Sequence, residues 1–365
     1  MKILITGSSG FLGKNFIAHL RGRNVNDFEV FDRSHSLEFL KKSIQKCNLI
    51  FHFAASNRPI KESEFQEDNV ELSRIIASEV AAKSDQTKVI ISSSIQAELK
   101  NPYGRSKLMA EKHFQSEFLN THHQLIIYRL KNIFGKWSKP NYNSVIATFC
   151  HNVINDIPII IDNPDKILNL IYIDDLVENL MQHLELDIEE QGNTDIYSYT
   201  ANLRDLAATI QSFKNTNVID RVGEGLTRAL YATYLSHKSP ENFSYPLVSH
   251  DDERGRFVEL LQTRASGQFS FFTAKPGITR GGHYHHSKSE KFIVLSGDAE
   301  FKFKHIISKD SFSITVSGTN PQVVETIPGW AHDITNTGND ELIVALWANE
   351  IFDQKKPDTF YEELL

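Results

Sequence analysis

At 365 residues the chain exceeds what one ordinary core organises, so two domains are expected. Apolar residues form 40% of it and charged residues 23%, with no long block of like charge, so a disordered tail is not expected. The formal net charge of -7 weighs against a nucleic-acid partner, while leaving room for a local basic pocket that holds one diphosphate.

The first half alternates short apolar runs with helix-length stretches. Residues 2–6, 28–31, 49–53, 89–93 and 125–129 read as strands, the pattern of an α/β Rossmann-type doubly wound parallel sheet. From about Ser244 the rhythm changes to short strands over 267–274, 291–295, 300–305, 311–316 and 342–347, separated by Gly, Asn, Asp and Pro, as in an all-β antiparallel barrel. The boundary is placed within 234–245, giving domains 1–243 and 244–365. Cys47 and Cys150 stand far apart, outside any Cys-x-x-Cys pair, and read as reduced core residues. No run approaches the roughly 18 apolar residues of a membrane helix. The opening Ile3-Leu4-Ile5 lacks the long apolar region and cleavage site of a signal peptide, so a cytoplasmic protein without membrane insertion is expected.

Thr6-Gly7-Ser8-Ser9-Gly10-Phe11-Leu12-Gly13 follows the first expected strand and opens a helix. Gly7, Gly10 and Gly13 permit a tight turn and close approach of backbone N–H groups to a pyrophosphate. The helix start, carrying Phe11 and Leu12, favours the negative charge. A plain glycine turn is the alternative. Asp32 ends the second strand where an acidic residue accepts from the adenosine ribose, and Arg33 beside it can hold a 2′-phosphate, so the residues leave the cofactor's phosphate state open. Ala54 at the third strand end and Asn69 on the following helix are further cofactor candidates, with a packed strand end and a helix surface as the competing readings. Tyr103 and Lys107 lie four apart on one helix face, where the ammonium lowers the phenol pKa so that Tyr passes a proton as hydride moves. They follow Ser92-Ser93-Ser94 at the fourth strand end; in a chain with 11 tyrosines a surface pair is the alternative.

On these residues, 1–191 resembles an extended short-chain dehydrogenase/reductase of the nucleotide-sugar type. The resemblance implies Tyr103 as acid/base, Lys107 as its electrostatic partner and anchor of the nicotinamide ribose, and a serine hydroxyl, taken as Ser94 with Ser93 as the alternative, as donor to the substrate oxygen. The stretch 128–135 is similar to the family segment that closes over nicotinamide and substrate, which brings in Asn132. The stretch 136–143 then offers Lys139 and Asn141 to the sugar nucleotide, with an exposed loop as the alternative. Tyr172-Ile173-Asp174-Asp175 resembles a segment that fixes the substrate lobe and is given no catalytic role.

In the second half, Gly277, His283, His285, Glu290 and Gly297 follow the spacing Gly-x5-His-x-His-x4-Glu-x6-Gly. Alternate histidines on a strand face one way, and a Glu on the next element completes an imidazole and carboxylate shell for zinc or another divalent metal. Gly329-x-x-His332-x3-Asn336 supplies His332 as the last ligand; a solvated His-rich turn is the alternative. The pattern resembles the cupin superfamily. Residues 251–259 and 279–283 also resemble deoxysugar 3,5-epimerases, cupins that remove a proton beside a 4-ketone. That resemblance implies Arg254 and Arg280 on phosphates, Glu259 in the same nucleotide grip, His283 as the base and Lys291 supporting the enolate. A metal-bound imidazole cannot also be a free general base, so both roles of His283 stay open.

Joined in this order, the halves resemble a family of bifunctional capsular polysaccharide enzymes over essentially the whole chain, with 141–150 and 243–247 specific to that resemblance. It implies a UDP-linked 4-keto-6-deoxy-N-acetylhexosamine substrate, C-3 epimerisation in the cupin, then C-4 reduction with NADPH toward UDP-N-acetyl-L-fucosamine. It also favours zinc and a homodimer. Two alternatives are a C-4 reductase with a structural metal-binding cupin, and a non-catalytic nicotinamide-binding sensor, against which the intact Tyr103 and Lys107 argue.

Overall fold

The computed structural model describes residues 2–59, 61–185, 187, 192, 194–214, 218–219, 221–247, 249–252, 255–258, 262–263, 267–350 and 355–364. Two compact units divide the chain: Met1–Phe134 with Leu168–Thr200, and Gly135–Ile167 with Ala201–Leu365.

The first unit runs β1 (Ile3–Thr6), α1 (Phe11–Gly22), β2 (Phe28–Phe31), α2 (Leu37–Lys46), β3 (Leu49–His52), α3 (Leu72–Ala81), β4 (Lys88–Ser94), α4 (Pro102–Phe118), β5 (Gln124–Leu130) and β6 (Asn132–Phe134). The next helix, α5 (Val145–Ile154), belongs to the second unit; β7 (Ile167–Tyr172) and α6 (Ile173–Met181) return to the first. Its strands pair in parallel in the order β2-β1-β3-β4-β5. Short runs such as Ile3-Leu4-Ile5 and Val89-Ile90-Ile91 are apolar throughout because both sheet faces are covered. Alternation sends Leu4, Ile50 and Val89 into a core with Leu40, Ile76 and Phe114. The opposite face takes Phe51, whose ring lies 4.4 Å from Phe16 of α1. The strand order reverses between β1 and β3, and at such a switch point the carboxyl ends of the strands open a crevice for a ligand. The alternating strands expected from the sequence are therefore present, each within two residues of its expected end.

In the second unit α5 packs with α7 (Leu203–Ser212) and α8 (Gly225–Ser236). Before them come β8 (Tyr199–Asn202), which straddles the unit boundary, and between them β9 (Val218–Ile219). There follow β10 (Ser244–Pro246), β11 (Ser249–Asp252), β12 (Gly255–Val258), β13 (Gln262–Thr263), β14 (Gln268–Ala274), β15 (Thr279–Tyr284) and β16 (Glu290–Ser296). The chain continues through β17 (Asp298–His305), β18 (Ser311–Ser317), β19 (Gln322–Thr326), β20 (Trp330–Asn336), β21 (Leu342–Ala348) and β22 (Phe360–Tyr361). Two five-stranded sheets, β10-β19-β16-β21-β14 and β18-β17-β20-β15-β22, make the expected antiparallel barrel. On β17 the period of two buries Ala299, Phe301 and Phe303 and leaves Glu300 and Lys302 half-buried on the other side. The segment read as a boundary is packed: Phe243 is fully buried, with its ring 5.6 Å from Phe303 and 5.2 Å from Trp330. Among the described residues no helix is long and apolar enough to cross a membrane.

Candidate active site and candidate metal centre

The glycine turn sits at the carboxyl end of β1. Gly7 has φ +73°, and a Cβ there would lie 2.6 Å from Ala54 N, so the turn and the end of β3 touch backbone to backbone. A Cβ on Gly13 would fall 2.3 Å from Gly7 O, which lets α1 start hard against the turn. Gly10 caps α1 without a side-chain hydrogen bond, and Phe11 and Leu12 lie half-buried in its first turn. Thr6 Oγ1 accepts from Ala54 N at 3.3 Å, tying the ends of β1 and β3. Helix N–H groups left open in this way suit a pyrophosphate.

Beyond β2, one Asp32 carboxylate oxygen accepts from Ser34 N at 3.0 Å and Ser34 Oγ at 2.6 Å, and lies 3.0 Å from His35 Nδ1. The Ser34 hydrogen bonds hold its carboxyl below the ordinary value. Arg33 is 80% exposed and pairs with Asp68. Asn69 is buried in a π-helical turn (Gln66–Glu71) and is fully engaged: its Oδ1 accepts from Ser56 N at 2.7 Å, and its Nδ2 donates to Ser56 O and Ser106 Oγ, both at 2.9 Å. Asn69 therefore ties the loop after β3 to α4, so it frames the crevice. Its hydrogen-bonding groups are already used.

Tyr103 and Lys107 occupy the first turns of α4, which Asn101 caps by accepting from Gly104 N at 2.7 Å. A Cβ on Gly104 would lie 2.0 Å from Gln96 O, so glycine lets this helix start dock against the 3-10 turn Ile95–Glu98. Both serine candidates lie at the end of β4. Ser94 lies close enough to the Tyr103 phenol to lower its pKa, whereas Ser93 Oγ donates to Glu111. Burial raises the Tyr103 pKa, and Ser94 partly offsets this. Lys107 Nζ donates to Ser92 O at 2.8 Å. Burial draws its ammonium down to about 8, against the pull of Glu111 one turn further along the helix. Glu111 in turn receives Arg129 Nη2 at 2.6 Å. Behind the crevice His52 is buried and pushed down to about 3 by desolvation and by Lys107, with Thr6 Oγ1 at 2.7 Å and Ser73 Oγ at 3.0 Å from its ring nitrogens.

In the barrel, His283, His285, Glu290 and His332 converge, with one ligand atom of each within 4.8 Å of all the others. β15 ends at Tyr284, so His283 stands on the strand and His285 on the turn after it, with a bulge between Gly281 and His283. His283 pairs across to His332 of β20, and Glu290 opens β16. Glu290 Oε2 lies 3.1 Å from His285 Nε2 and 3.4 Å from His332 Nε2. Burial raises the Glu290 carboxyl, but His285 and His332 outweigh it and hold it well below the usual range. His283 is pushed down to about 3 by burial and then by His332 and His285. Among the described residues, neither nitrogen of the buried His332 ring makes a hydrogen bond of ordinary geometry, Glu290 approaching Nε2 only to 3.4 Å. Three imidazoles and one carboxylate, with a buried ring left unsatisfied, fit a divalent cation of the zinc type.

Of the other candidates, Lys291 and Arg280 meet partners outside this cluster. Lys291 follows Glu290 on β16, so its side chain takes the opposite face, where it pairs with Glu325 and donates to Tyr245 Oη at 2.8 Å. It does not reach the imidazoles, as an enolate-supporting role beside His283 requires. Lys238 also pairs with Glu325. Arg280 is exposed, its guanidinium 5.0 Å over the Phe272 ring. Arg254 and Glu259 lie outside the described residues. Asn132 belongs to the first unit, exposed, and donates to Asn169 O at 3.2 Å. Lys139 and Asn141 belong to the second and are exposed, with Asn141 N held by Thr148 Oγ1 at 3.0 Å. Sequence reasoning missed Glu111, Lys288 and Asp358. The first was within reach, since 103, 107 and 111 share one helix face.

A dinucleotide turn, a Ser-Tyr-Lys constellation and a parallel sheet define a nicotinamide-dependent oxidoreductase or epimerase class. Residues 3–197 match the NAD dependent epimerase/dehydratase family, and the chain belongs to it. Residues 250–360 match the polysaccharide biosynthesis C-terminal domain. The chain is 46% identical over 364 residues to UDP-2-acetamido-2,6-beta-L-arabino-hexul-4-ose reductase of Pseudomonas aeruginosa, covering 99% of this chain and 98% of that one. It is 26% identical to dTDP-4-dehydro-6-deoxyglucose reductase of Escherichia coli, over 60% of this chain and 83% of that one. The crystal structure of the capsular polysaccharide assembling protein CapF from Staphylococcus aureus is similar over 100% of both chains, at 35% identity and a TM-score of 0.65.

Proposed function

We propose that the protein reduces the C-4 ketone of a UDP-linked 4-keto-6-deoxy-N-acetylhexosamine with NADPH in the cytoplasm, after the barrel has epimerised C-3, toward UDP-N-acetyl-L-fucosamine for a surface polysaccharide. The observation that carries the reduction is the Tyr103 phenol, influenced by Ser94 and one helical turn from the buried Lys107, in the same unit as the glycine turn. The 46% identical reductase of Pseudomonas aeruginosa supports the substrate class. Bound NADPH would supply the hydride. The phenol gives its proton to the carbonyl oxygen, so that ketone plus hydride plus proton yields the alcohol. Ser94 orients that oxygen, and the Lys107 ammonium stabilises the phenolate left behind. An Asp32 carboxylate already engaged by Ser34 and an exposed Arg33 support a 2′-phosphate over a bare ribose.

His283, His285, Glu290 and His332 would hold the divalent cation, which supplies Lewis-acid polarisation. Their convergence supports His283 as a ligand over a free base. The ketone acidifies the C-3 proton, and reduction removes that acidity, so epimerisation comes first. The turned-away Lys291 favours a second reading, a C-4 reductase whose barrel metal is structural. Incubation with the UDP-4-keto sugar in deuterated water, with and without NADPH, tests both. Solvent deuterium at C-3 without NADPH supports the two-step enzyme. NADPH oxidation without any exchange leaves only the reductase, exchange without NADPH oxidation overturns the reductase, and Tyr103→Phe retaining normal NADPH oxidation overturns the assignment of Tyr103 as the proton donor.

A further inference from the structure

The turn that carries the second histidine is held from the far end of the chain. Asp358 precedes β22, and one of its carboxylate oxygens accepts from His286 N at 2.8 Å. The other accepts from Ser287 N at 2.7 Å, Lys288 N at 2.8 Å and Ser287 Oγ at 3.1 Å. The backbone carbonyl of the same residue meets His285 Nδ1. Arg228 of α8 braces the turn from another side, donating to Ser287 Oγ at 2.7 Å. Beyond Asp358, β22 pairs with β15, placing Tyr361 opposite His283 and Phe360 opposite Tyr284. The Phe360 ring stacks on Tyr284 at 5.5 Å and meets the His286 ring at 4.8 Å.

A carbonyl oxygen only accepts, so the imidazole nitrogen that meets it carries the proton. His285 Nδ1 thereby carries a proton, which leaves Nε2, 3.1 Å from Glu290 Oε2 inside the cluster, as the nitrogen a metal would take in place of a proton. A ligand imidazole needs that tautomer, and the partner of its other nitrogen sets the ring's angle. The Asp358 carboxylate fixes where its own carbonyl stands relative to the turn 286–288 by accepting all three N–H groups of that turn. The same turn delivers Lys288 Nζ to Glu290 Oε1 at 3.1 Å, so two of the four candidate ligands are oriented through one aspartate.

We propose that Asp358 is a positioning residue for the metal centre, fixing the tautomer and angle of His285 from the C-terminal segment 355–364. The inference rests on the reading of the four-residue cluster as a metal site. Its test is zinc affinity in the full-length protein, measured by competition with a chromophoric chelator, for wild type, Asp358→Ala and Asp358→Asn. Loss of such an outer partner weakens metal binding by about 10–100-fold, and both variants are expected in that range. Asp358→Asn keeps the volume and the main-chain carbonyl while setting an amide N–H against backbone N–H groups, so it remains informative if the alanine variant does not fold. Nitrogen chemical shifts of histidine-labelled, metal-free protein give a readout that a purely structural role would leave alone. His285 should show protonated Nδ1 in wild type and a mixed tautomer in the variants. Wild-type protein that takes up no stoichiometric zinc overturns the metal reading and this inference with it. Stoichiometric uptake with unchanged affinity in a folded variant, or an unchanged tautomer, overturns the inference alone.

Discussion

Replacing each of the two serines at the end of β4 by alanine tests the proposal that Ser94 carries the catalytic hydroxyl and Ser93 a structural one. Ser94 lies close to the Tyr103 phenol, so Ser94→Ala removes a donor aimed at the reacting oxygen. Loss of one such donor lowers kcat by about 10²–10³-fold, or roughly 3–4 kcal/mol of barrier. Its structural cost is confined to Gln96 N, which loses an acceptor now at 3.2 Å at the start of a single 3-10 turn, a loss on the order of 1 kcal/mol. Ser93→Ala instead takes one partner from Glu111, whose carboxylate keeps Arg129 through Nε at 3.1 and 3.2 Å and Nη2 at 2.6 Å. Because the charge stays paired, the loss is about 1 kcal/mol of stability, with kcat near that of wild type. Initial rates of reduced-nicotinamide oxidation at saturating keto sugar, beside thermal melts of both variants, read the two effects separately. A Ser93→Ala enzyme that is dead while Ser94→Ala turns over normally would refute the assignment of the hydroxyls.

The proposed reduction uses Lys107 protonated, and its ammonium is drawn down to about 8 by burial with Glu111 holding it up, so the rate should fall as pH rises through that value. Glu111→Gln should move this alkaline limb to lower pH; a profile that does not move contradicts the electrostatic link. Gly104→Ala places a Cβ 2.0 Å from Gln96 O, and the helix start must shift, costing about 1–3 kcal/mol. A variant with wild-type melting temperature and kcat would show that the docking is not needed. Burial raises the Glu325 carboxyl, but Lys291 and Lys238 outweigh it and bring it from 4.5 to about 2. The stability it contributes is complete above the unfolded value and is lost as pH falls through the folded one. Glu325→Gln leaves two buried ammonium groups without a counter-charge, lowering stability by about 3–5 kcal/mol at neutral pH. It should also flatten the acid limb in denaturant titrations, and an unchanged limb would sink the argument.

Much of the first unit was legible because its signals are local. Apolar runs of four to seven residues between helices mark the strands, and Tyr103 with Lys107 lies on one helix face whatever the rest of the chain does. The engagement of Ser93 by Glu111, which bears on the choice between Ser93 and Ser94, was not legible, since it depends on where Glu111 lies after α4 has docked. In the barrel the spacing of His283, His285, Glu290 and His332 sufficed to bring the four together, although β15 stops before His285. Placing Lys291 beside them overlooked a signal that was available, since successive residues of a strand face opposite ways. Asp358 gave no such signal: it lies 68 residues beyond Glu290 in sequence, in a stretch without periodicity, and only long-range packing returns it to the turn.

The chain passes between its two units at residues 134–135, 167–168 and 200–201, which makes its synthesis non-modular. Emerging from a ribosome, α5 presents the apolar side chains Ile146, Phe149 and Val153 before its partners α7 and α8 exist. Such transient exposure is where aggregation of a nascent chain begins. The same interleaving governs dissection of the gene. A fragment starting at residue 244 strips Lys238 from Glu325 and discards the buried face of α8 with Leu230, Tyr231 and Tyr234. The barrel should accordingly be studied in the whole chain, or in fragments that keep α8 attached.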